Sequence, residues 1–251
     1  MSTETSLRDK LSACTRIFAM QELLGLFGHI SAYDPQAGHV YFSPSMGVDK
    51  TAVCADDILV SDVDGNALSG EQRLPAEWPI HTVLHGRRKD ALAVAHLHAP
   101  YATVFAIARR EFQPVTLQGT VFDGGLPVYQ ETALVRSVEQ GRNLADVIGD
   151  KPAAFMRGHG IVVVARDVEQ MLYASLILED EAQKWVQAST LGEVQPMSHH
   201  DCETFAGKPE FAGRAQRCWR YFSELEKRWD RQPGDRKSTR LNSSHGYISY
   251  A

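Results

Sequence analysis

Two histidines separated by one residue, His96-Leu97-His98, follow the short apolar run Ala91-Leu-Ala-Val-Ala95. No other feature of the chain restricts its fold as much. On a helix, side chains share a face at spacings of three or four, so residues i and i+2 diverge. On an extended strand, i and i+2 point the same way. A short apolar run in front of them reads as a buried strand. The chain is therefore expected to carry a buried strand ending in two imidazoles that can reach one ion. Alone, the pair would suit an ordinary polar strand end slightly better. Two further residues tip the balance: Glu77 upstream in LPAEWPIH, and His159 downstream between the glycines of RGHGI. Three imidazoles and a carboxylate are the ligand types that borderline divalent ions such as zinc prefer.

Around these residues the pattern alternates between short strands and helices. Apolar spacing predicts a helix over residues 7–24, capped by Thr5 or Ser6 and stopped at Gly25. GHISAYD and HVYFSP read as strands joined by a turn at residues 35–38, and ILVSD as a third strand running into Asp64-Gly65-Asn66. A helix is expected from Pro75 to about Arg87, which would place Glu77 and His81 on one face. Further helices are expected over 100–108, 137–148 and 168–188, the last capped by Asp167. Strands are expected at 153–156 and 161–165, flanking GHG. Residues 189–211 are polar and read as irregular, and a final helix is expected over 212–229. With no internal repeat, heptad array or linker, residues 1–234 read as one domain, with 189–234 as a peripheral segment.

GHIS (28–31), YFSPSMG (41–47), LPAEWPIH (74–81), HLH (96–98) and GHG (158–160) occur in an order and spacing that resemble the class II aldolase/adducin family. The resemblance runs from about Leu7 to Gln183. It implies an α/β fold, a three-layer α/β/α sandwich with a largely antiparallel central sheet, commonly assembled as a homotetramer. It also implies one divalent ion per chain, zinc first and manganese second, held by His96, His98 and His159. Glu77 would ligate the ion or move protons beside it.

Three neutral imidazoles leave a cation its full charge and an open coordination face. Such an ion can chelate neighbouring substrate oxygens and stabilise the charge of an enolate. Retro-aldol cleavage and decarboxylation both pass through that kind of species, and either needs a proton carrier, for which Glu77 is placed. Family members that act on sugar phosphates carry an asparagine in the first glycine loop, Thr-Gly in the second and Ser-Ser before the glutamate. Here the corresponding residues are Gly28-His29-Ile30-Ser31, Ser43-Pro44-Ser45-Met46-Gly47 and Pro75-Ala76. A phosphate dianion would lose hydrogen-bond donors. The GHIS variant resembles members that decarboxylate hydroxylated aromatic or ring-cleavage acids, and that reaction is the expected function. His29 is expected to recognise a carboxylate or donate the proton that replaces carbon dioxide. Ser31, Ser45 and Gly47 are expected to add hydroxyl and backbone donors. His81 and His85 read as supporting or interface groups, and His199 and His200 as loop residues. The family's catalytic tyrosine has no match in EFQPVTLQGTVF, leaving Tyr129 and Tyr221 as substitutes. The alternative is aldol cleavage, dehydration or epimerisation of a sugar or sugar phosphate. A non-catalytic adducin-like scaffold ranks last, because every expected ligand is retained.

Composition bounds the partners. The 251 residues are 43% hydrophobic with a net charge of −5 and no basic stripe, which argues against nucleic acid. No apolar run approaches the roughly 20 residues that span a bilayer, and the first residues lack the pattern of a secretory signal. Cys14, Cys54, Cys202 and Cys218 are scattered, without CxxC, as in a reducing cytoplasm. The segment DRKSTRLNSSHGYISYA (235–251) has no apolar periodicity. Its coding sequence can be written as that of a common short-read sequencing adapter, so it is expected to be a translated artefact rather than part of the natural chain.

Overall fold

The apolar runs singled out above form the middle of a sheet. In the computed structural model, which describes residues 3–45, 47–68, 73–108, 110–206, 208 and 213–229, seven strands are present: β1 (His29–Asp34), β2 (His39–Phe42), β3 (Leu59–Asp62), β4 (Ala93–Leu97), β5 (Val128–Tyr129), β6 (Ala153–Met156) and β7 (Gly160–Ala165). They make one sheet in the order β3-β2-β1-β4-β7-β6-β5. Neighbours are antiparallel except β5 and β6, which run parallel. The expected adapter-like segment, 235–251, lies outside the described residues.

Every residue of β4 and β7 is buried, as expected of strands covered on both faces. On one face Ala93, Ala95 and Leu97 pack in a core with α1 (Thr3–Met20), α3 (Pro100–Ala108), α5 (Val168–Ser189) and α7 (Arg214–Trp229). On the other face Val94, Val162 and Val164 pack with α2 (Trp78–Arg87) and α4 (Val138–Ile148). The result is the expected α/β/α arrangement, with a mixed and mostly antiparallel sheet. Strand parity then decides the rest: His96 shares its side with Val94 and faces α2, while Leu97 faces the other core. Carboxylates of α5 hold the segment that follows. Glu179 accepts the backbone N–H groups of Tyr101 and Ala102 at 2.8 Å each, and Glu181 accepts that of Val115 at 2.6 Å.

Several element boundaries differ from the sequence expectation, beginning with α1, which already contains Thr5 and Ser6, the expected caps. α1 stops at Met20, because Glu22 adopts a left-handed φ of 60° and Leu23 N–H turns back to the Phe18 carbonyl at 3.0 Å. That closing geometry is usually taken by glycine; here it folds Leu23 and Leu24 into the core. α2 starts at Trp78 rather than Pro75. A helix from Pro75 would need the Pro79 N–H to reach the Pro75 carbonyl, and proline has none. The Trp78 N–H takes that carbonyl instead, at 3.0 Å, so Glu77 is the residue that caps the helix and not a member of its face. Residues 189–211 are not wholly irregular, since α6 (His199–Ala206) lies within them. Ser198 and Asp201 close its first turn reciprocally, with Ser198 N–H donating to Asp201 at 3.0 Å and Asp201 N–H to Ser198 at 3.1 Å. That S-x-x-D pattern was a readable helix signal. His199 and His200 thus open a helix, and His199 pairs with Asp123 at 2.5 Å.

Candidate metal centre

Four chain segments converge at the ends of the central strands. His96 is in β4, paired across the sheet with His29 of β1 on one side and Val162 of β7 on the other. His98 follows one residue beyond the strand end. His159 sits in the tight turn between β6 and β7, where Gly158 takes a φ of +64° and the His159 N–H bonds to the Met156 carbonyl at 3.0 Å. At Gly160 a Cβ would lie 2.3 Å from the Leu97 carbonyl oxygen, so only glycine lets β7 come this close to the HLH segment. Glu77 enters from the start of α2, with Oε1 accepting the Val135 N–H at 2.9 Å.

The three imidazoles stand nearly perpendicular to one another, with centroids 4.8 to 5.1 Å apart. Nε2 of His96 and Nε2 of His98 are 3.3 Å apart, and Glu77 Oε2 is 3.5 Å from Nε2 of both His96 and His159. A tetrahedral ion with bonds of about 2.0–2.1 Å needs ligand atoms about 3.3–3.4 Å apart. The His96 Nδ1–H donates to the Ile161 carbonyl at 3.1 Å, which leaves Nε2 as the lone-pair donor. Beyond that long Glu77 contact, both ring nitrogens of His159 are buried without a hydrogen-bond partner among the described residues, a costly state for a polar group unless something else binds it. On these observations the four residues fit a divalent cation.

Electrostatics point the same way. Burial first, then His96 and His159, pull His98 down to about 4, so its imidazole is neutral at physiological pH, the form that can bind a cation. Burial pushes the Glu77 carboxyl up, but the His159 and His96 imidazoles and the Val135 amide outweigh it, holding Glu77 well below the usual carboxylate range. Glu77 is therefore ionised.

His29 is not in an open loop. It is 4% exposed, and its Nδ1 lies 2.7 Å from His81 Nε2. One of its ring nitrogens is within 4.8 Å of ligand atoms of Glu77 and His96. His81 Nδ1 meets Ser31 Oγ at 2.7 Å, Ser31 Oγ meets His85 Nε2 at 2.8 Å, and His85 Nδ1 meets the Ala91 carbonyl at 2.5 Å. The expectation that Ser31 donates directly to a substrate does not suit this position. Its hydroxyl is sealed beneath the sheet surface and committed to two imidazoles. Burial drives His29 and His81 well below the ordinary histidine value, and lowers His85 to about 4. The four-residue spacing of His81 and His85 marks one helical face, but nothing local told which strand lies under it.

Ser45 is half-buried and Gly47 exposed, in the loop after β2; among the described residues, no hydrogen bond joins them to the histidine cluster. Lys50 was missed by sequence reasoning. It is 4% exposed, its ammonium donates to the Pro44 and Ser45 carbonyls, and burial lowers it to about 8. Of the two tyrosine substitutes, Tyr221 is exposed on α7, whereas Tyr129 is buried, with burial and Glu131 raising it to about 12.

Residues 9–186 match the model of the Class II Aldolase and Adducin N-terminal domain, and the chain belongs to the class II aldolase/adducin family. A 3,4-dihydroxyphthalate decarboxylase of Arthrobacter keyseri is 28% identical over 87% of this chain and 93% of its own. A second, from Rhodococcus jostii (strain RHA1), is 32% identical over 68% and 74%. Among solved structures, an L-fuculose 1-phosphate aldolase superposes with a TM-score of 0.75 at 25% identity, covering 84% of this chain and 98% of that one. Relatives on both branches are lyases. The chain is an enzyme of this lyase family, whose members are divalent-metal dependent and act on small molecules. No helix among the described residues is long and apolar enough to cross a membrane.

Proposed function

We propose that this enzyme is a zinc-dependent carboxy-lyase acting on a small hydroxylated carboxylic acid, aromatic or dienoic. The observation that carries the reading is the turn in front of Glu77. Pro75 and Ala76 offer no side-chain donor, and the Trp78 N–H is spent on the Pro75 carbonyl, so a phosphate dianion finds fewer donors there. The names of the two relatives quoted first point in the same direction.

His96, His98 and His159 would hold the ion, with Glu77 at its fourth side. A bound divalent ion supplies Lewis-acid stabilisation of negative charge developing on substrate oxygens. Glu77, ionised and anchored by the Val135 amide, accepts the proton of a substrate hydroxyl. The bond to the carboxylate breaks, carbon dioxide leaves, and its electron pair remains on the carbon skeleton. Glu77 returns its proton to that carbon, and solvent restores the hydroxyl. Ser45 and the Gly47 amide, in the loop tethered by Lys50, are proposed donors to substrate carboxylates. The same reading places the enzyme in the cytoplasm as a homotetramer, in keeping with its four free cysteines.

A second reading, aldol cleavage of a sugar phosphate, is favoured by the likeness to the L-fuculose 1-phosphate aldolase structure. Dehydration or epimerisation on the same ion would follow from similar chemistry, and a scaffold without catalysis ranks last. A side-by-side assay separates these readings. The zinc-loaded protein is given 3,4-dihydroxyphthalate and L-fuculose 1-phosphate, and carbon dioxide and aldehyde are followed. Carbon dioxide from the acid is expected. Efficient aldehyde release from the sugar phosphate, with no carbon dioxide from any hydroxylated acid, would replace the first reading with the second.

A further inference from the structure

The chain of hydrogen bonds beneath His29 has a direction, and one backbone atom sets it. A carbonyl oxygen only accepts, so His85 Nδ1, 2.5 Å from the Ala91 oxygen, carries a proton. In the neutral ring His85 Nε2 is then an acceptor, and the Ser31 hydroxyl, 2.8 Å away, donates to it. With its one proton spent, Ser31 Oγ accepts from His81 Nδ1–H at 2.7 Å. His81 Nε2 is left as an acceptor, and it takes the proton of His29 Nδ1, also at 2.7 Å. His29 Nε2 is therefore left with a lone pair and, among the described residues, no hydrogen-bond partner. The reverse order would set two lone pairs against each other at Ala91.

Neutrality throughout the chain is what the surroundings favour. His29, His81 and His85 are all buried, and burial penalises imidazolium. Nor does Glu77 call for a proton from His29: its Oε1 is held by the Val135 amide and its Oε2 lies between His96 and His159.

We propose that Ser31, His81 and His85 form a positioning relay, anchored on the Ala91 carbonyl, that keeps the His29 proton on Nδ1 and presents Nε2 as an acceptor for a substrate hydroxyl. His29 thus selects a ligand with an O–H to give, not a carboxylate, and leaves proton movement to Glu77. The choice of a hydroxylated ligand rests on the decarboxylase reading above; the tautomer does not.

Two measurements on the zinc-loaded protein decide the matter. With ring-15N histidine, two-bond proton–nitrogen correlation should show His29 protonated at Nδ1. Ser31→Ala, and independently His85→Leu, should give a mixture in which the Nε2–H form appears, because the chain loses its direction. A wild-type His29 protonated at Nε2, or a spectrum unchanged by both variants, would overturn the relay. Calorimetric binding of two non-reacting probes tests the acceptor. Catechol has hydroxyls and no carboxylate, and phthalate has carboxylates and no hydroxyl. Ser31→Ala should weaken catechol in proportion to the share of His29 shifted to the Nε2–H form, up to about tenfold where nine-tenths is shifted, and leave phthalate unchanged within error. Equal loss on both probes would show a merely structural role. Failure to release carbon dioxide from any hydroxylated acid would overturn the decarboxylase reading alone, since neither measurement here requires turnover.

Discussion

His159→Ala separates the ion's contribution from that of the fold, because among the described residues the imidazole's polar contact is a long one, 3.5 Å to Glu77 Oε2. Its two nitrogens are buried with no closer partner among the described residues, and the side chain is 9% exposed. An unsatisfied buried polar group costs about 1–3 kcal/mol, while the lost burial of the ring is worth about 1–2 kcal/mol in the other direction. In metal-free protein the two nearly cancel, so the variant should unfold within about 2 kcal/mol of wild type. With an ion bound the balance changes sign. At free zinc of 100 times the dissociation constant, binding to the folded state alone adds about 2.7 kcal/mol. For a chain of this size each kcal/mol moves the midpoint by about 2–4 °C, so chelation should lower the wild-type Tm by about 5–11 °C. In the variant that response should vanish, together with stoichiometric metal. The assay is elemental analysis after gel filtration, followed by calorimetry with and without chelator. A variant that keeps one ion per chain and the full chelator response would refute the ligand assignment. One that loses more than about 10 °C when already metal-free would show that His159 is structural.

Glu77→Gln keeps the acceptor for the Val135 amide but removes the charge and the proton carrier. It should retain metal by elemental analysis while turnover falls by about 10²–10⁴-fold; parallel loss of metal and activity would make Glu77 chiefly a ligand. His85, lowered to about 4 in the fold, binds fewer protons folded than unfolded. Its contribution is thus present above about 6.5 and is lost as pH falls toward 4, a change of about 3 kcal/mol. Denaturant titrations of chelated protein should show that slope, flattened in His85→Leu; the same slope in both proteins would place it elsewhere. Ending the chain after Gly234 should change neither assembly in gel filtration nor turnover, and loss of either would show that residues 235–251 belong to the natural protein.

The fold was legible wherever one segment carried its own answer. The runs around 93–97 and 160–165 read as buried strands because strands covered on both faces lose the alternation of polar residues, and they lie at the middle of the sheet. Asp167 caps α5 as expected, and Ser137, read as the first helical residue, is the cap of α4, each accepting from the backbone three residues on. The boundaries that moved depend on atoms rather than on pattern. The missing N–H of Pro79 displaced the start of α2, and a left-handed Glu22 ended α1 without the glycine that usually signals such a stop. β5 is two residues long and is defined only by its neighbour β6, so no periodicity announced it.

The site divides along the same line. His96 and His98 were readable because period two is a property of any strand, and His159 because a glycine on each side permits a tight turn against a neighbouring backbone. Those three facts are local. The relay is not. Ser31 and His85 are 54 positions apart in the chain, and their contact exists only because β1 pairs with β4 in the register that sets His29 beside His96, beneath α2. Strand pairing places His29 within reach of His96 and Glu77. Helix docking then decides what its other nitrogen can bond. An imidazole brought into the interior needs a partner at Nδ1 before Nε2 can serve a ligand, and that partner must have its own proton fixed in turn. The order of protons therefore runs back, residue by residue, until it meets a group that cannot reverse. Here that group is the carbonyl of Ala91, two residues before the strand that leads into the HLH motif.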